Sequence, residues 1–186
     1  EKFRLKAEMK KEYTVKDIDY NFRKELSEEV GAKSLLQCIG CGICSSGCTV
    51  SEFIDLQPHR MVACCLLGLK DFVLKSNAVW ICSLCHKCTE RCPKHVDYSL
   101  LLAHLRNLAV KEGNVPDEFV TTLENLSEGG LAVPFSGFIK DSVKNRREAM
   151  GLPALTEAPV DELNDIIKSV GLENLIKKKE SDGGDD

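Results

Sequence analysis

Apolar residues recur along most of the chain at the spacing of an α-helix, and no stretch alternates apolar and polar residues as a half-buried strand would. A helix from Thr14 to Val30, capped by Gly31, is predicted by apolar residues at every fourth position, namely Ile18, Phe22 and Leu26. A long helix that begins at Pro58 is predicted by an apolar stripe of Met61, Val62, Cys65, Leu66, Leu69, Phe72 and Val73. Both patterns favour an all-α fold.

The second half of the chain shows the same helical pattern. Four helices are predicted there: one capped by Asp97 and ending at Gly113, one from Pro116 to Gly129, a short one from Phe138 to Gly151, and one from Val160 to Gly171. Residues 1–12 are mostly charged and predict a solvated lead-in, while residues 34–37 predict a short helical approach to the segment that follows. The acidic tail over residues 180–186 predicts disorder.

The composition narrows the class of protein. Of the 186 residues, 43% are hydrophobic and 29% are charged, which is typical of a globular protein. The net charge of −4 gives no sign of nucleic acid or a membrane surface as a partner. The longest apolar stretch, from Met61 to Leu69, is too short to span a bilayer, and the N-terminus lacks a signal-peptide pattern. We therefore expect a cytoplasmic protein without membrane insertion.

Eight of the ten cysteines form two runs with the same spacing. Each run has three cysteines separated by two residues and a fourth after three more; the runs are Cys38-Cys41-Cys44-Cys48 and Cys82-Cys85-Cys88-Cys92, and Pro93 follows the second. A tight loop with three such cysteines can wrap three corners of an iron–sulfur cube, while the fourth cysteine points away. The pattern therefore predicts two [4Fe–4S] clusters.

The fourth cysteine of each run is expected to bind across the pair, because in two-cluster ferredoxins it ligates the other cluster. Carried over to this chain, one cluster takes Cys38, Cys41, Cys44 and Cys92, and the other takes Cys82, Cys85, Cys88 and Cys48. Backbone near a cluster needs positive φ and room for amide donors to sulfur. The glycines of the first loop fit that need; they are Gly40, Gly42 and Gly47.

Three other interpretations compete with electron transfer through two clusters. A zinc site usually takes its ligands as two separated pairs, whereas three cysteines in one seven-residue loop make one pairing awkward. A disulfide framework needs a secreted context, which nothing in the sequence supplies. Clusters with a purely structural role are the third alternative.

Other residues carry weaker signals. Cys65 lies on the apolar stripe and predicts a small buried hydrophobe, while Cys64 could face a partner or exchange ligands. His86 could tune the second cluster or simply lie at the surface, and Trp80 could pack beside a cluster or fill the core. Positive charge around the second loop could raise the cluster potential, form a docking rim or face solvent; it comes from Lys87, Arg91 and Lys94. No nucleophile–base arrangement, phosphate loop or dinucleotide fingerprint is present, so no catalytic residue is predicted.

Two such cysteine runs joined by a helical insert resemble the α-helical ferredoxin superfamily, and within it the family of heterodisulfide reductase C subunits. The resemblance covers roughly residues 30–155 and is strongest over 37–113. It is carried by residues 37–44, by Pro58 and Arg60, and by residues 79–82, 91–93 and 145–153. Thr49 departs from the family pattern, which often has proline after the fourth cysteine.

The resemblance implies an electron-transfer subunit. In that family's complex, electrons pass through the two clusters from a flavin- and iron–sulfur-containing A subunit to a B subunit, which reduces the mixed disulfide of coenzyme M and coenzyme B in methanogenesis. The catalytic subunit carries Cys-Cys-Gly signatures, whereas Cys64-Cys65 is followed by Leu66, so we expect the disulfide-reducing site on another chain. The expected domains are an N-terminal helical arm (1–33), the two-cluster domain (34–113), a C-terminal helical extension (114–179) and the tail (180–186).

Three rival functions remain. The main one is the iron–sulfur subunit of another flavin-linked dehydrogenase, of the glycolate, glycerol-3-phosphate or succinate type. A second is an enzyme whose substrate binds an open cluster iron, which full cysteine ligation disfavours. The third is a structural adaptor whose clusters only hold loops together.

Overall fold

The computed structural model describes residues 12–28, 32–133, 137–153 and 158–176. The chain consists of two compact units, Glu1–Pro116 and Asp117–Asp186. Nearly all of the predicted lead-in, the predicted cap Gly31 and the predicted disordered tail lie outside the described residues, and the four-part domain division stays a prediction. The helices are α1 (Tyr20–Glu28), α2 (Ile43–Ser46), α3 (Pro58–Leu67), α4 (Lys70–Leu74), α5 (Ala78–Ile81), α6 (Lys87–Glu90), α7 (Tyr98–Lys111), α8 (Asp117–Gly129), α9 (Gly137–Ala149) and α10 (Val160–Ser169). The described ranges contain no strand, and the predicted all-α fold is confirmed.

The helix predicted from Thr14 to Val30 is wrong as a single element. A 3-10 turn over Val15–Asp17 comes first, closed by the Asp17 carboxylate, which accepts from the N–H and the hydroxyl of Thr14 at 2.8 and 2.9 Å. Helix α1 begins only at Tyr20, because the Asp19 carboxylate accepts from the N–H groups of its first turn at 2.9 and 3.1 Å. Hydrogen bonds to the Asp17 and Asp19 side chains therefore divide the segment that the apolar spacing predicts as one helix.

The prediction of one long helix in the insert is also wrong, since the chain forms three separate helices there, α3, α4 and α5. Helix α3 ends at Gly68, which has a left-handed φ of 78°. The N–H groups of Gly68 and Leu69 return to the carbonyls of Cys65 and Cys64 at 3.1 and 3.0 Å, which closes the helix end. A Cβ at Gly68 would lie 2.6 Å from the Asp19 carbonyl oxygen, so the close approach of the N-terminal segment requires glycine here.

A buried polar network fixes the start of α5, the helix that leads into the second cysteine loop. The Asp55 carboxylate accepts from the Ser76 hydroxyl at 2.5 Å and from the Asn77 N–H at 3.1 Å. The Asn77 side-chain oxygen accepts in return from the Asp55 N–H at 2.9 Å. Because Ser76 and Asn77 are buried, each of these bonds offsets a desolvation cost and holds α5 against the chain that follows the first cysteine loop.

Helix α7 is the centre of the first unit's core. Its start is capped as predicted, with the Asp97 carboxylate accepting from the Leu100 N–H at 3.1 Å. Its buried face is mainly leucine and joins apolar residues from α1, α3, α4 and α5; the fully buried set includes Phe22, Leu26, Met61, Val73, Val79, Leu101, Leu102 and Leu105. Helix α2 packs on α3 and on α6, and α6 packs on α7. The two cysteine loops, which carry α2 and α6, are thereby held side by side on this core.

The second unit contains α8, α9 and α10. Helices α8 and α10 pack on each other, and the Asn164 side-chain amide donates to the Ser127 carbonyl at 3.0 Å. The helix predicted from Phe138 to Gly151 is present as α9, and Arg147 closes its end by donating to the Pro153 carbonyl. All ten cysteines lie in the first unit, so its structure decides the candidate site.

Candidate metal centre

The two cysteine loops repeat the same backbone conformation, 44 residues apart. In the first loop Gly40 and Gly42 have left-handed φ angles of 67° and 78°. The equivalent positions of the second loop, Leu84 and His86, are left-handed too, with φ of 50° and 59°, although neither is glycine. Non-glycine residues seldom adopt this conformation, so the second loop is held in it against an intrinsic preference.

The hydrogen bonds repeat as well. The N–H of Gly40 points at Cys38 Sγ and the N–H of Leu84 at Cys82 Sγ, both at 3.5 Å. After the short helices α2 and α6, the N–H of the fourth cysteine of each run donates to the carbonyl three residues earlier, at 3.1 Å in both. The sequence repeat is therefore a structural repeat, with amide donors directed at the first cysteine sulfur of each set.

The first predicted set of cysteines is brought together. Cys38, Cys41, Cys44 and Cys92 line one cavity, which has about 430 Å³ of empty volume when the solvent at its mouth is counted. Its other walls are mostly apolar and include Val62, Val96 and Tyr98; Cys88 of the second loop also lines it. Burial raises the pKa of the Cys44 thiol; hydrogen bonds from the Ser45 hydroxyl and N–H lower it, and the nearby Cys38 and Cys88 raise it.

The second predicted set lies around Cys82. Burial raises the pKa of the Cys82 thiol; the Leu84 N–H and Arg106 lower it, and the neighbouring thiols of Cys88 and Cys48 raise it. Cys85 is exposed, and its pKa is lowered by the Lys87 N–H and by the Thr49 hydroxyl, whose oxygen is 3.7 Å from Cys85 Sγ.

Both sets fit an iron–sulfur cube in their chemistry. Each offers sulfur ligands, backbone N–H donors to sulfur and a loop of left-handed residues that turns the cysteines toward one space. Within the described part of the chain, no three His, Cys, Asp or Glu side chains are placed to hold a single metal ion. A single zinc ion needs each sulfur at about 2.3 Å from the metal. Its sulfur ligands therefore lie closer to one another than the sulfur ligands at the corners of a four-iron cube. The arrangement therefore favours a larger group over zinc.

Two residues outside the cysteine loops also contact the site, and neither was predicted from the sequence. His59 lines the first cavity, and its Nδ1 lies 2.6 Å from the hydroxyl of the buried Ser45, the neighbour of Cys44. Arg106 on α7 donates to the carbonyls of Val79, Trp80 and Cys82. A charged residue in the otherwise apolar stripe of α7 is a signal that could have singled out Arg106, whereas nothing local singles out His59.

Several residues with weaker sequence signals have ordinary surroundings. Cys65 is buried among apolar side chains, as predicted, and burial raises the pKa of its thiol far above the ordinary value. Cys64 is half-buried, and Trp80 belongs to the core. The residues with positive or titratable side chains around the second loop are exposed, namely His86, Lys87, Arg91 and Lys94. The Arg91 guanidinium lies against Gly47 of the first loop, in the space that a Cβ would occupy.

Comparison with known proteins defines the class first. The family model of the 4Fe-4S dicluster domain matches residues 34–96, which include all eight cysteines of the two runs. The chain is therefore an iron–sulfur protein with [4Fe–4S] clusters. Among the described residues, no helix combines the length and apolar character needed to cross a membrane.

Whole-chain similarity then gives the family. The chain is 31% identical over 173 residues to the iron–sulfur C subunit 2 of the CoB–CoM heterodisulfide reductase of Methanocaldococcus jannaschii, covering 86% of this chain and 90% of that protein. It is 30% identical over 165 residues to the C subunit of the H2:CoB-CoM heterodisulfide,ferredoxin reductase of Methanothermobacter thermautotrophicus, covering 84% and 87%. The C subunit of a ferredoxin/F420H2-dependent CoB-CoM heterodisulfide reductase from Methanosarcina acetivorans is 30% identical over 151 residues, covering 78% and 91%. The chain belongs to the family of heterodisulfide reductase C subunits, which makes it an iron–sulfur subunit of an oxidoreductase complex and confirms the predicted resemblance.

Proposed function

We propose that this chain holds two [4Fe–4S] clusters with crossed ligation and uses them to relay single electrons. The first cluster takes Cys38, Cys41, Cys44 and Cys92, and the second takes Cys82, Cys85, Cys88 and Cys48. The observation that supports this most strongly is the first cavity, where the fourth cysteine of the second run lies with three cysteines of the first. The hydroxyl of Thr49, the neighbour of Cys48, lies 3.7 Å from Cys85 Sγ, which supports the reverse crossing.

The chain's own residues prepare both sites. Left-handed residues and N–H donors orient the cysteine sulfurs, and the apolar walls of Val62, Val96 and Tyr98 keep water away from the first cavity. Cys88 lines the first cavity although it is assigned to the second set, so the two sites share a wall. When bound, the clusters supply one-electron transfer without proton or group transfer.

We propose as partners a flavin- and iron–sulfur-containing A subunit that delivers electrons and a B subunit that reduces the heterodisulfide of coenzyme M and coenzyme B in methanogenesis. Support comes from the relatives, whose names state that reaction and a place in a multi-subunit complex. Cys64-Cys65 is followed by Leu66 rather than by the glycine of the catalytic subunit's signature, so we assign the disulfide chemistry to another chain. We expect the complex in the cytoplasm, where a reducing environment keeps cysteine thiols available for metal.

Metal and sulfide analysis tests the clusters. The anaerobically purified, reconstituted chain should contain about eight irons and eight sulfides, two cubes of four each. Stoichiometric zinc with little iron would contradict the proposal. About four irons would mean that only one site is filled, which would contradict the two-cluster assignment.

Replacing Cys92 by serine tests the crossing. We expect Cys92→Ser to damage the cluster held by Cys38, Cys41 and Cys44 and to spare the other, as seen by electron paramagnetic resonance (EPR). Cys64→Ser is the matched control, because Cys64 belongs to neither set and should leave both signals unchanged. Selective loss of the cluster of Cys82, Cys85 and Cys88 in Cys92→Ser would show that ligation is not crossed.

A further inference from the structure

The two sets of cysteines have matching backbones but different surroundings, and the residue after each fourth cysteine shows this first. Thr49 follows Cys48, and Pro93 occupies the equivalent position after Cys92. The Thr49 hydroxyl lies 3.7 Å from Cys85 Sγ. A thiolate ligand has no proton, so the hydroxyl is the donor in that contact. Pro93 lines the first cavity and has neither a hydroxyl nor an N–H to donate.

A second hydroxyl lies at the same set. The oxygen of Ser99, a buried residue of α7, is 3.8 Å from Cys88 Sγ and 3.2 Å from the Thr89 hydroxyl. Thr89 in turn donates to the Asp97 carboxylate at 3.2 Å, so Ser99 is held in place by a network rather than by solvent. The first set has donors of its own: the Val96 N–H points at Cys92 Sγ at 3.3 Å, and the Ser45 hydroxyl and N–H lower the pKa of Cys44.

Charge adds to the difference. The guanidinium of Arg106 is anchored by the Val79 carbonyl at 2.7 Å and the Trp80 carbonyl at 3.4 Å, and it also donates to the carbonyl of Cys82, the first cysteine of the second set. Arg106 is partly buried, so solvent screens its charge less than that of the exposed Lys87 or Lys94. In the described part of the chain, no lysine or arginine side chain donates to the backbone at Cys38, the equivalent cysteine of the first set. Lys94 lines the first cavity, but its side chain is exposed and its charge is therefore more strongly screened.

Hydrogen bonds to sulfur and nearby positive charge both stabilise the reduced, more negative form of an iron–sulfur cluster. We propose that Thr49, Ser99 and Arg106 make the second set of cysteines the more easily reduced site, so that a single electron on the chain resides there. With both sites loaded, one electron would pass from the first set to the second, so that the first is oxidised and the second reduced without a bond being made or a proton moved. This inference rests on the proposed two-cluster ligation, and it assigns the direction of electron flow from the first set to the second.

An EPR-monitored redox titration of the reconstituted chain, at one fixed pH, tests this assignment. The wild-type chain should show two midpoint potentials. Thr49→Val replaces the hydroxyl of an exposed side chain by a methyl group of similar size, so it should lower the more positive midpoint and leave the other unchanged. We expect the equilibrium preference of the electron for the second site to fall by up to about tenfold, which lowers the more positive midpoint potential by up to about 59 mV for a one-electron couple. Thr49→Ser keeps the donor and should titrate as the wild type does.

Two further changes separate an electrostatic role from a structural one. Arg106→Gln should lower the same midpoint as Thr49→Val, whereas Arg106→Lys keeps the charge and should restore most of the potential. Pro93→Thr is the matched change at the equivalent position of the first set, and it should raise the more negative midpoint.

Several results would overturn the inference. They are a lowered more-negative midpoint in Thr49→Val, no shift in either midpoint, or the same loss in Arg106→Lys as in Arg106→Gln. Iron analysis of each sample distinguishes this failure from failure of the proposed function: eight irons with the wrong order of potentials refutes only the inference, while a deficit of iron in the wild-type chain refutes the two-cluster proposal.

Discussion

At the scale of single residues, the two cysteine loops adopt the same left-handed backbone angles with different residues, glycine in the first loop and residues with side chains in the second. Gly40 and Gly42 adopt positive φ at little cost, whereas Leu84 and His86 adopt it at roughly 1–2 kcal/mol per residue. The second loop must recover that cost from its surroundings, which include α5 held by the Asp55 network. The two loops therefore reach one backbone shape by different routes.

This difference predicts opposite effects for two equivalent substitutions. Gly42→Ala places a Cβ where nothing lies within 4 Å, so only backbone strain counts, and we expect a loss of about 1–2 kcal/mol of stability. His86→Gly removes the same strain but gives the unfolded chain more freedom, for a net gain below about 1 kcal/mol. Thermal unfolding of the cluster-loaded proteins under argon measures both. A lower midpoint for His86→Gly than for the wild type would contradict the argument.

At the scale of elements, the break between α3 and α4 is the feature that decides how the insert folds. The apolar stripe continues across Gly68 without interruption, so periodicity alone predicts one long helix. What ends α3 is the contact of Gly68 with the Asp19 carbonyl, reinforced by the Asp19 N–H, which donates to the Gly68 carbonyl at 2.8 Å. The N-terminal segment and the insert thus fix each other's helix ends.

Gly68→Ala should therefore be one of the more damaging single changes outside the cysteine loops. Its Cβ would meet the Asp19 carbonyl oxygen at 2.6 Å, and its φ of 78° is strained for any residue with a side chain. We expect a loss of at least about 2 kcal/mol, from backbone strain and steric overlap together. Thermal unfolding measures it, with Gly151→Ala as control: Gly151 also has positive φ, at 66°, but its Cβ would meet nothing within 4 Å. Equal losses in the two variants would show that the close approach contributes nothing.

At the scale of the whole molecule, the division between Pro116 and Asp117 separates the cysteines from the C-terminal helices. Short amphipathic helices are marginal alone and must bury their apolar faces, and several large apolar side chains of this unit stay exposed; examples are Phe119, Ile166 and Val170. We infer that the second unit contributes to partner binding rather than to cluster binding.

Truncation after Pro116 tests that inference. The shortened chain should retain the iron and sulfide content of the full chain, because all ten cysteines precede the cut. It should recover less of the flavin-containing or the disulfide-reducing partner in a pull-down from native extract. Loss of both clusters with unchanged partner recovery would show that the second unit serves the fold instead.

The helical class, the α7 cap at Asp97 and the repeated cysteine loops were all predictable from sequence, because each depends on local spacing. The split of the insert at Gly68 was missed, because the apolar spacing continues across the glycine and the contact that requires a glycine there comes from Asp19, which is distant in sequence. His59 and Arg106 were missed for a similar reason: each contacts the site from a helix outside the cysteine loops. Local sequence patterns predicted the cysteine loops, whereas the side chains that surround those loops are placed by tertiary contacts.

The position of Cys92 in the first cavity has a consequence for how the protein is made. A ribosome releases Cys38, Cys41 and Cys44 while Cys92 is still 48 codons behind Cys44, so the nascent chain carries an incomplete sulfur cradle. That cradle is completed only after the second loop has been synthesised and has docked through α6 onto α2. With the crossed ligation proposed above, we therefore expect the first cluster to be fully ligated only after the translated chain has folded at least as far as Cys92.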